Sequence, residues 1–141
     1  MNDEAPYALE DQVGHLLRRA NQRHVALFMA NISDDQLTPT QFSALVKIGD
    51  CGEVSQNHLG RLTAMDPATS FGVIRRLLTR RLISRRPDPD DARRVLLRLS
   101  PAGEELRAQA IVRARTITTA TLAPLKPEEQ TVFLSLLRRL T

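Results

Sequence analysis

The stretch that carries the clearest structural pattern in the chain is residues 66–99, DPATSFGVIRRLLTRRLISRRPDPDDARRVLLRL. It opens with an acidic residue followed by proline, a pair that typically starts a helix, and apolar residues then recur at helical spacing. After Arg81 the period changes, and residues 82–85 and 95–99 have the character of short strands. A loop with two prolines and three aspartates separates the strands. We therefore predict a helix followed by a β-hairpin.

A further short helix is predicted immediately before this stretch. Ser55 can cap it, and it extends through Leu62, after which residues 63–65 form a turn. Two helices joined by such a turn have the dimensions of a helix-turn-helix, and the hairpin behind them makes the motif a winged one. Upstream, residues 38–41 carry the signature of a capping box with proline at the first helical position. We expect the helix that starts there to end at Gly49.

Long helices are predicted on both sides of this motif. Apolar residues recur every three or four positions over residues 8–31, and the same pattern follows Ser100-Pro101 as far as about Thr121. A last helix is predicted to begin at Pro127. The predicted fold class is mainly α with one small hairpin: a winged helix-turn-helix flanked by long N- and C-terminal helices. We assign residues 38–99 to the winged region and residues 1–37 and 100–141 to the helical region.

The charge of the chain is concentrated in the winged region. The 141 residues are 42% hydrophobic and 26% charged, which argues against global disorder, and only two of the twenty basic residues are lysine. Ten arginines and four acidic residues lie between Arg61 and Arg98, a local balance of +6, whereas the rest of the chain has a balance of −2. One basic patch on a near-neutral chain is typical of proteins that bind a nucleic-acid backbone.

Two other interpretations of the basic patch stay open at the level of sequence. The arginines could form an ordinary solvated face. Alternatively, the winged helix could be an interaction module whose basic face binds an acidic partner protein, because a fold does not by itself determine a function.

Several classes of protein are excluded or disfavoured. The acidic start Met1-Asn2-Asp3-Glu4 is unlike a signal peptide, and no stretch has the ~18 uncharged apolar residues that span a bilayer. Cys51 is the single cysteine, so no internal disulfide or Cys-based zinc cluster is possible, and the three histidines lack metal-ligand spacing. No phosphate-binding glycine loop or nucleophile elbow occurs. We expect a cytoplasmic protein that is not an enzyme and holds no cofactor or metal.

The helix that begins at Asp66 has two distinct sides on a helical wheel. Pro67, Phe71, Ile74 and Leu78 are predicted to face inward, and the opposite side carries threonine, glycine and arginine, as a DNA-recognition helix does. The hairpin loop could place an arginine in a narrow minor groove. The residues predicted to face DNA are Thr69, Ser70, Val73, Arg75, Arg76, Arg80, Asp91, Arg93 and Arg94.

The sequence resembles the MarR (multiple antibiotic resistance regulator) family of bacterial transcription factors over roughly residues 38–105. Asp91-Ala92-Arg93 matches the family's Asp-x-Arg wing motif, and residues 99–103, LSPAG, match its Leu-Thr-x-x-Gly junction with serine in place of threonine. Two departures stand out. Arg81 replaces a glycine that is common before the first wing strand, and Ala92 replaces a residue that is often basic.

The resemblance implies a homodimer whose terminal helices interdigitate and whose two winged domains bind a pseudo-palindromic operator in double-stranded DNA. It implies that Thr69, Ser70 and Arg76 face the major groove. It places Arg93 at the minor groove, with Asp91 as its brace or as a local charge balance. The implied activity is that of a repressor.

Many members of this family release DNA when a small aromatic or phenolic acid, or its thioester, binds between the dimer helices and the winged domain. The residues that could line such a site here are Arg19, Arg23, His24, Phe28, Phe42 and Leu45. The same residues could instead be core and solvated surface, and a regulator without any ligand is also open. Members that sense oxidants do so through a cysteine in the first helix, a position that Cys51 does not match.

Overall fold

The structure, a computed structural model, describes residues 5–32, 34 and 36–141. A short 3-10 helix, Leu9–Asp11, comes first. The helices and strands that follow are α1 (Val13–Asn31), α2 (Pro39–Cys51), β1 (Val54–Ser55), α3 (Gln56–Leu62), α4 (Pro67–Thr79), β2 (Ile83–Pro87), β3 (Val95–Leu99), α5 (Pro101–Leu122) and α6 (Pro127–Arg138). The predicted fold class is confirmed. Over the described ranges, no helix has the length and apolar character needed to cross a membrane.

Contacts divide the chain into two compact units. One contains the residues up to Asn31 together with Thr116–Thr141, which form α1, the end of α5 and α6. The other is Ile32–Arg115, which contains α2 to β3 and the larger part of α5. The helix-turn-helix and the hairpin thus lie in one unit.

Helices of the winged unit begin at the predicted positions, because the predicted side-chain caps are present there. Thr38 accepts a hydrogen bond from the Gln41 amide at 3.3 Å, and the Gln41 side chain accepts one from the Thr38 amide, which completes the capping box. Ser55 caps α3 by accepting from the His58 amide. These caps are confirmed because they depend only on residues three positions apart.

Two predicted helix ends are wrong. The first helix was expected from residue 8, but α1 begins at Val13 after the short 3-10 helix. The second does not end at Gly49: α2 continues to Cys51, and Gly52 ends it with a positive φ of 73°. Gly49 lies inside α2, and the Arg107 side chain passes close to it: a β-carbon there would lie 2.3 Å from Nε of Arg107.

The wing is a three-stranded antiparallel sheet in the order β1-β3-β2. The sequence predicts the two hairpin strands, but for β1 it predicts only an extended connector. Val54 of β1 and Arg85 of β2 both pair with Leu97 at the centre of β3. Side chains with almost no solvent exposure form the core beneath this sheet. In the winged unit the largest of them are Leu37, Leu45, Ile48, Leu59, Leu77 and Leu97.

The junction between β3 and α5 depends on a close backbone contact. Ser100 accepts a hydrogen bond from the Gly103 amide at 3.1 Å and donates one to the Arg81 carbonyl at 2.7 Å. A β-carbon on Gly103 would lie 2.0 Å from the carbonyl oxygen of Leu82, so only glycine fits. This contact gives the Ser100 to Gly103 motif a physical reason.

Helix α4 ends in a Schellman motif that contains arginine in place of glycine. The Leu82 amide donates to the Leu77 carbonyl and the Arg81 amide to the Leu78 carbonyl, both at 3.0 Å. Arg81 has a φ of +56°, in the left-handed region that non-glycine residues rarely adopt. The departure noticed in the sequence therefore leaves the helix end intact but places a side chain in a strained conformation.

Candidate nucleic-acid interface

Asp66 fixes the N-terminus of α4. Its carboxylate accepts hydrogen bonds from the Thr69 amide at 2.8 Å and from the Thr69 hydroxyl at 2.9 Å. The amide bond, followed by the hydroxyl bond, lowers the pKa of Asp66 below its ordinary value. Because the Thr69 hydroxyl proton is engaged by Asp66, the exposed Thr69 offers its methyl group and its oxygen lone pairs to a ligand.

The predicted orientation of α4 is wrong. The buried side of the helix is rotated about the helix axis, relative to the predicted one, by a little less than the angle between two successive residues. Ser70 and Val73, which were predicted to face DNA, are only 7% and 3% exposed. Phe71, which was predicted to face inward, is 64% exposed. Ser70 packs against α3, where its hydroxyl lies 3.5 Å from the position of a β-carbon built on Gly60, an ordinary packing distance. The side of α4 that carries Ser70, Val73, Ile74 and Leu77 is the one that joins the core.

The exposed side of α4 has a basic edge formed by Arg75 and Arg76. Within the part of the chain that the structure describes, neither guanidinium has a hydrogen-bonding or ionic partner. Both border a surface cleft of about 480 Å³. The other residues that line it are Gln36, Gln41, Gly72, Thr79 and Arg80. Unpaired guanidinium groups of this kind can bind phosphates or guanine edges.

Arg80 has a different environment from the one predicted for it. Its guanidinium is half-buried and forms an ion pair with Asp34, which lies in the segment before α2. Its Nη1 atom is buried and has no acceptor among residues 5–32, 34 and 36–141. Arg80 thus binds one of the protein's own carboxylates, so direct contact of Arg80 with DNA stays a prediction that this geometry does not favour.

The loop between β2 and β3 holds Arg93 outward at its tip. Asp91 accepts hydrogen bonds from the Arg93 amide at 3.0 Å and from Arg93 Nε at 3.2 Å. The Arg93 guanidinium lowers the pKa of Asp91 below its ordinary value, yet the Arg93 side chain stays 91% exposed. Arg94 lies 3.9 Å from Asp88, whose amide donates to the Arg94 carbonyl. The expected contact of Asp91 with Arg93 is therefore present, and the wing presents one well-oriented guanidinium.

Glu53, which the sequence analysis did not single out, forms ion pairs with two further arginines. Its carboxylate accepts two hydrogen bonds from Arg86, at 2.7 and 2.8 Å, and lies 4.0 Å from Arg98. The Arg86 hydrogen bond lowers the pKa of Glu53 and raises that of Arg86. A single carboxylate before β1 has no spacing signal, so sequence reasoning could not have found this pair.

The ten arginines of the winged region fall into two sets, according to whether a carboxylate lies nearby. Of the ten between residues 61 and 98, five have a carboxylate within 4.0 Å: Arg80, Arg86, Arg93, Arg94 and Arg98. The five that have none among the described residues are Arg61, Arg75, Arg76, Arg81 and Arg85, all of them exposed. This second set extends from α3 through α4 to β2 and can neutralise an extended anionic surface.

The residues predicted to bind a small molecule lie in different environments. Arg23 donates hydrogen bonds to the carbonyls of Thr121 and Ala120, at 2.6 and 2.9 Å. His24 places Nδ1 2.9 Å from the Thr121 hydroxyl, so both side chains meet the last turn of α5. Arg19, which lies in α1 like Arg23 and His24, is exposed.

The apolar members of that predicted set are less accessible. Phe28 in α1 and Leu45 in α2 are buried, and Phe42 is half-buried at the surface of the winged unit. The predicted ligand site stays a prediction. Cys51 is exposed at the end of α2.

The fold and the exposed arginines together define a winged-helix protein with a basic recognition surface, and relatives identify the family. The MarR family model matches residues 37–95. The HTH-type transcriptional repressor NicR of Pseudomonas putida is 41% identical over 138 residues, covering 98% of this chain and 87% of its own. The chain therefore belongs to the MarR family of transcriptional regulators.

Two solved structures are similar over nearly the whole chain. A probable transcriptional regulator from Pseudomonas aeruginosa is 51% identical, with a TM-score of 0.92, covering 95% of this chain and 100% of its own. A structure of BpsR from Bordetella bronchiseptica, described as the mechanism for regulation of its DNA binding by 6-hydroxynicotinic acid, is 43% identical with a TM-score of 0.91. The aligned part covers 96% of this chain and 97% of BpsR.

Proposed function

We propose that this protein is a homodimeric, sequence-specific repressor that binds a pseudo-palindromic operator in double-stranded DNA. The observation that carries the proposal is the set of exposed arginines on α3, α4, β2 and the turn before β2 that have no carboxylate partner among the described residues, with Arg93 projecting from the wing loop. In this arrangement α4 enters the major groove of each half-site, and the wing loop reaches the adjacent minor groove.

The individual contacts follow from the environment of each side chain. Arg75 and Arg76 are free to bind phosphates or a guanine edge, and Thr69 presents its methyl group. Ser70 and Val73 support α4 from below and do not take part in base contacts. Arg93 enters the minor groove with its direction fixed by Asp91.

We further infer that DNA binding is regulated by a small aromatic carboxylic acid. The support is that the relative BpsR, at 43% identity, is described as regulated by 6-hydroxynicotinic acid. In this chain two cationic or titratable side chains of α1, Arg19 and His24, are the candidates to bind such a carboxylate. Arg23 is less suited, because its guanidinium already donates to two carbonyls of α5.

One experiment tests both parts of the proposal. Mobility shifts of the intergenic DNA upstream of the protein's own gene are measured at several salt concentrations, with and without 6-hydroxynicotinic acid. We expect sequence-selective binding that weakens steeply with salt, because bound phosphates release counterions, and we expect the acid to reduce it. The acid should also raise the melting temperature of the free protein, since a ligand that binds the folded state stabilises it.

Two variants sharpen the ligand arm. Arg19→Ala should reduce the response to the acid, whereas Arg18→Ala, an equally exposed neighbour in α1, should leave it unchanged. Absent or salt-insensitive DNA binding would favour a module that binds an acidic protein. Normal DNA binding that no aromatic acid affects would leave a ligand-independent repressor.

A further inference from the structure

Phe71 is an exposed aromatic residue that the fold does not use. It is the fifth residue of α4 and is 64% exposed, whereas its neighbours Ser70, Val73 and Ile74 fill the core side of the helix. Exposed apolar side chains are common on protein surfaces, but this one lies in the N-terminal half of α4, the part of a recognition helix that approaches base edges.

Phe71 borders a hollow between α3 and α4. The hollow has a volume of about 530 Å³, and its lining includes the apolar Ala64, Met65 and Pro67 and the polar Gln56 and Asn57. Arg61 of α3 also borders it, and Arg75 follows Phe71 one turn later along α4. The exposed ring thus lies between two unpaired arginines, on the surface that the proposed function places against DNA.

The chemistry of the ring limits what it can recognise there. A phenyl group has no hydrogen-bond donor or acceptor for a base edge, and the one apolar group that the major groove displays is the 5-methyl group of thymine. Residues in the N-terminal half of a recognition helix are those that approach the base edges, and Phe71 lies in that half.

We propose that Phe71 is a specificity-determining residue that packs against the thymine methyl group of one base pair in each operator half-site. The inference rests on the proposed DNA-binding function. It goes further by assigning the identity of a base to a side chain that hydrogen-bond arguments overlook. The flanking arginines would then supply affinity for any sequence, and Phe71 would select among sequences.

The test removes the methyl group and nothing else. The wild-type protein first selects duplexes from a random library, and each thymine of a selected duplex is then replaced in turn by deoxyuridine. Dissociation constants are measured by fluorescence anisotropy. We expect one position in each half-site, related by the symmetry of the operator, at which loss of the methyl group weakens binding about fourfold. This factor corresponds to the free energy gained by burying one apolar carbon.

Variants assign that effect to the ring. Phe71→Ala should bind the thymine duplex more weakly and should no longer distinguish thymine from deoxyuridine. Arg76→Ala, on the basic edge of the same helix, should weaken binding to both duplexes by the same factor and keep their ratio. Because Phe71 is exposed, the melting temperature of its variant should stay close to that of the wild type.

The outcomes separate this inference from the function on which it rests. If the protein selects a duplex and no deoxyuridine substitution weakens binding, Phe71 does not contact thymine, although the repressor proposal survives. If Phe71→Ala instead changes the molecular mass in light scattering, the ring joins copies of the chain and the inference is wrong. If no duplex is selected at all, both proposals fail.

Discussion

At the scale of single residues, Arg81 shows that a helix end can be correct in geometry and costly in energy. The two hydrogen bonds of the Schellman motif are formed, and Ser100 additionally donates to the Arg81 carbonyl. The backbone nevertheless adopts a φ of +56°, which costs an L-residue roughly 1–2 kcal/mol relative to its preferred regions. Glycine avoids this cost because it has no β-carbon.

Arg81→Gly should therefore raise the free energy of unfolding. We expect a gain of about 0.5–1 kcal/mol, because relief of the strain outweighs the extra backbone entropy of glycine in the unfolded chain. Urea denaturation followed by circular dichroism measures it. Arg85→Gly is the matched control and should destabilise the protein, since Arg85 lies in β2. An Arg81→Gly variant no more stable than the wild type would contradict the strain argument.

At the scale of elements, the wing is a small sheet whose loop keeps a single arginine away from the protein surface. Asp91 orients Arg93, and the carboxylate of Glu53 joins the segment before β1 to Arg86 on β2. The two ion pairs therefore have different effects: the first orients a side chain that projects into solvent, and the second links the segment before β1 to β2.

Arg93→Ala should weaken operator binding without changing the stability of the protein. We expect a loss of roughly 1–3 kcal/mol in binding free energy, the range of a specific guanidinium contact, while the melting temperature stays constant because the side chain is exposed. Anisotropy titrations and thermal melts measure the two effects. Asp91→Asn should lose a smaller part of the affinity. Arg113→Ala in α5 serves as a control, and unchanged binding by Arg93→Ala would remove the wing from the mechanism.

The elements also show what sequence reasoning can and cannot predict. The starts of α2, α3 and α4 were predicted because a cap involves residues three positions apart. The orientation of α4 was not, because it depends on how α4 packs against the other helices and not on its own periodicity alone.

In the candidate site, too, local interactions could be predicted and interactions between distant residues could not. The basic region and the Asp91–Arg93 contact were evident in the sequence, since both are local. The partners of Arg80 and Arg86, which are Asp34 and Glu53, lie 46 and 33 positions away, and no periodic pattern connects such distant residues.

At the scale of the whole molecule, the unit formed by α1, the end of α5 and α6 exposes many large apolar side chains. In the short 3-10 helix, α1 and α6 and at the C-terminus they are Leu9, Val13, Leu16, Leu17, Met29, Val132, Phe133, Leu136 and Leu140. These side chains support the proposal that the unit is covered by a second copy of the chain.

Leu16→Glu should convert the proposed dimer to a monomer, because a charge would be buried in an apolar interface without a partner. Size-exclusion chromatography with light scattering measures the mass, and operator affinity should fall together with it. Ala102→Glu adds the same charge to the first turn of α5, where a carboxylate is tolerated, and should leave the mass unchanged. A Leu16→Glu protein of unchanged mass would show that this face is not the interface.

The internal pairing of arginines would affect how the proposed repressor is distributed between its operator and other DNA. Every chromosome offers a vast excess of non-operator sites, and a repressor with many free cations is sequestered on them. Asp34, Asp88 and Glu53 hold Arg80, Arg94, Arg86 and Arg98 by ion pairs and so reduce the attraction to arbitrary DNA. For the proposed repressor, weaker attraction to arbitrary DNA would leave a larger share of the molecules free to occupy the operator.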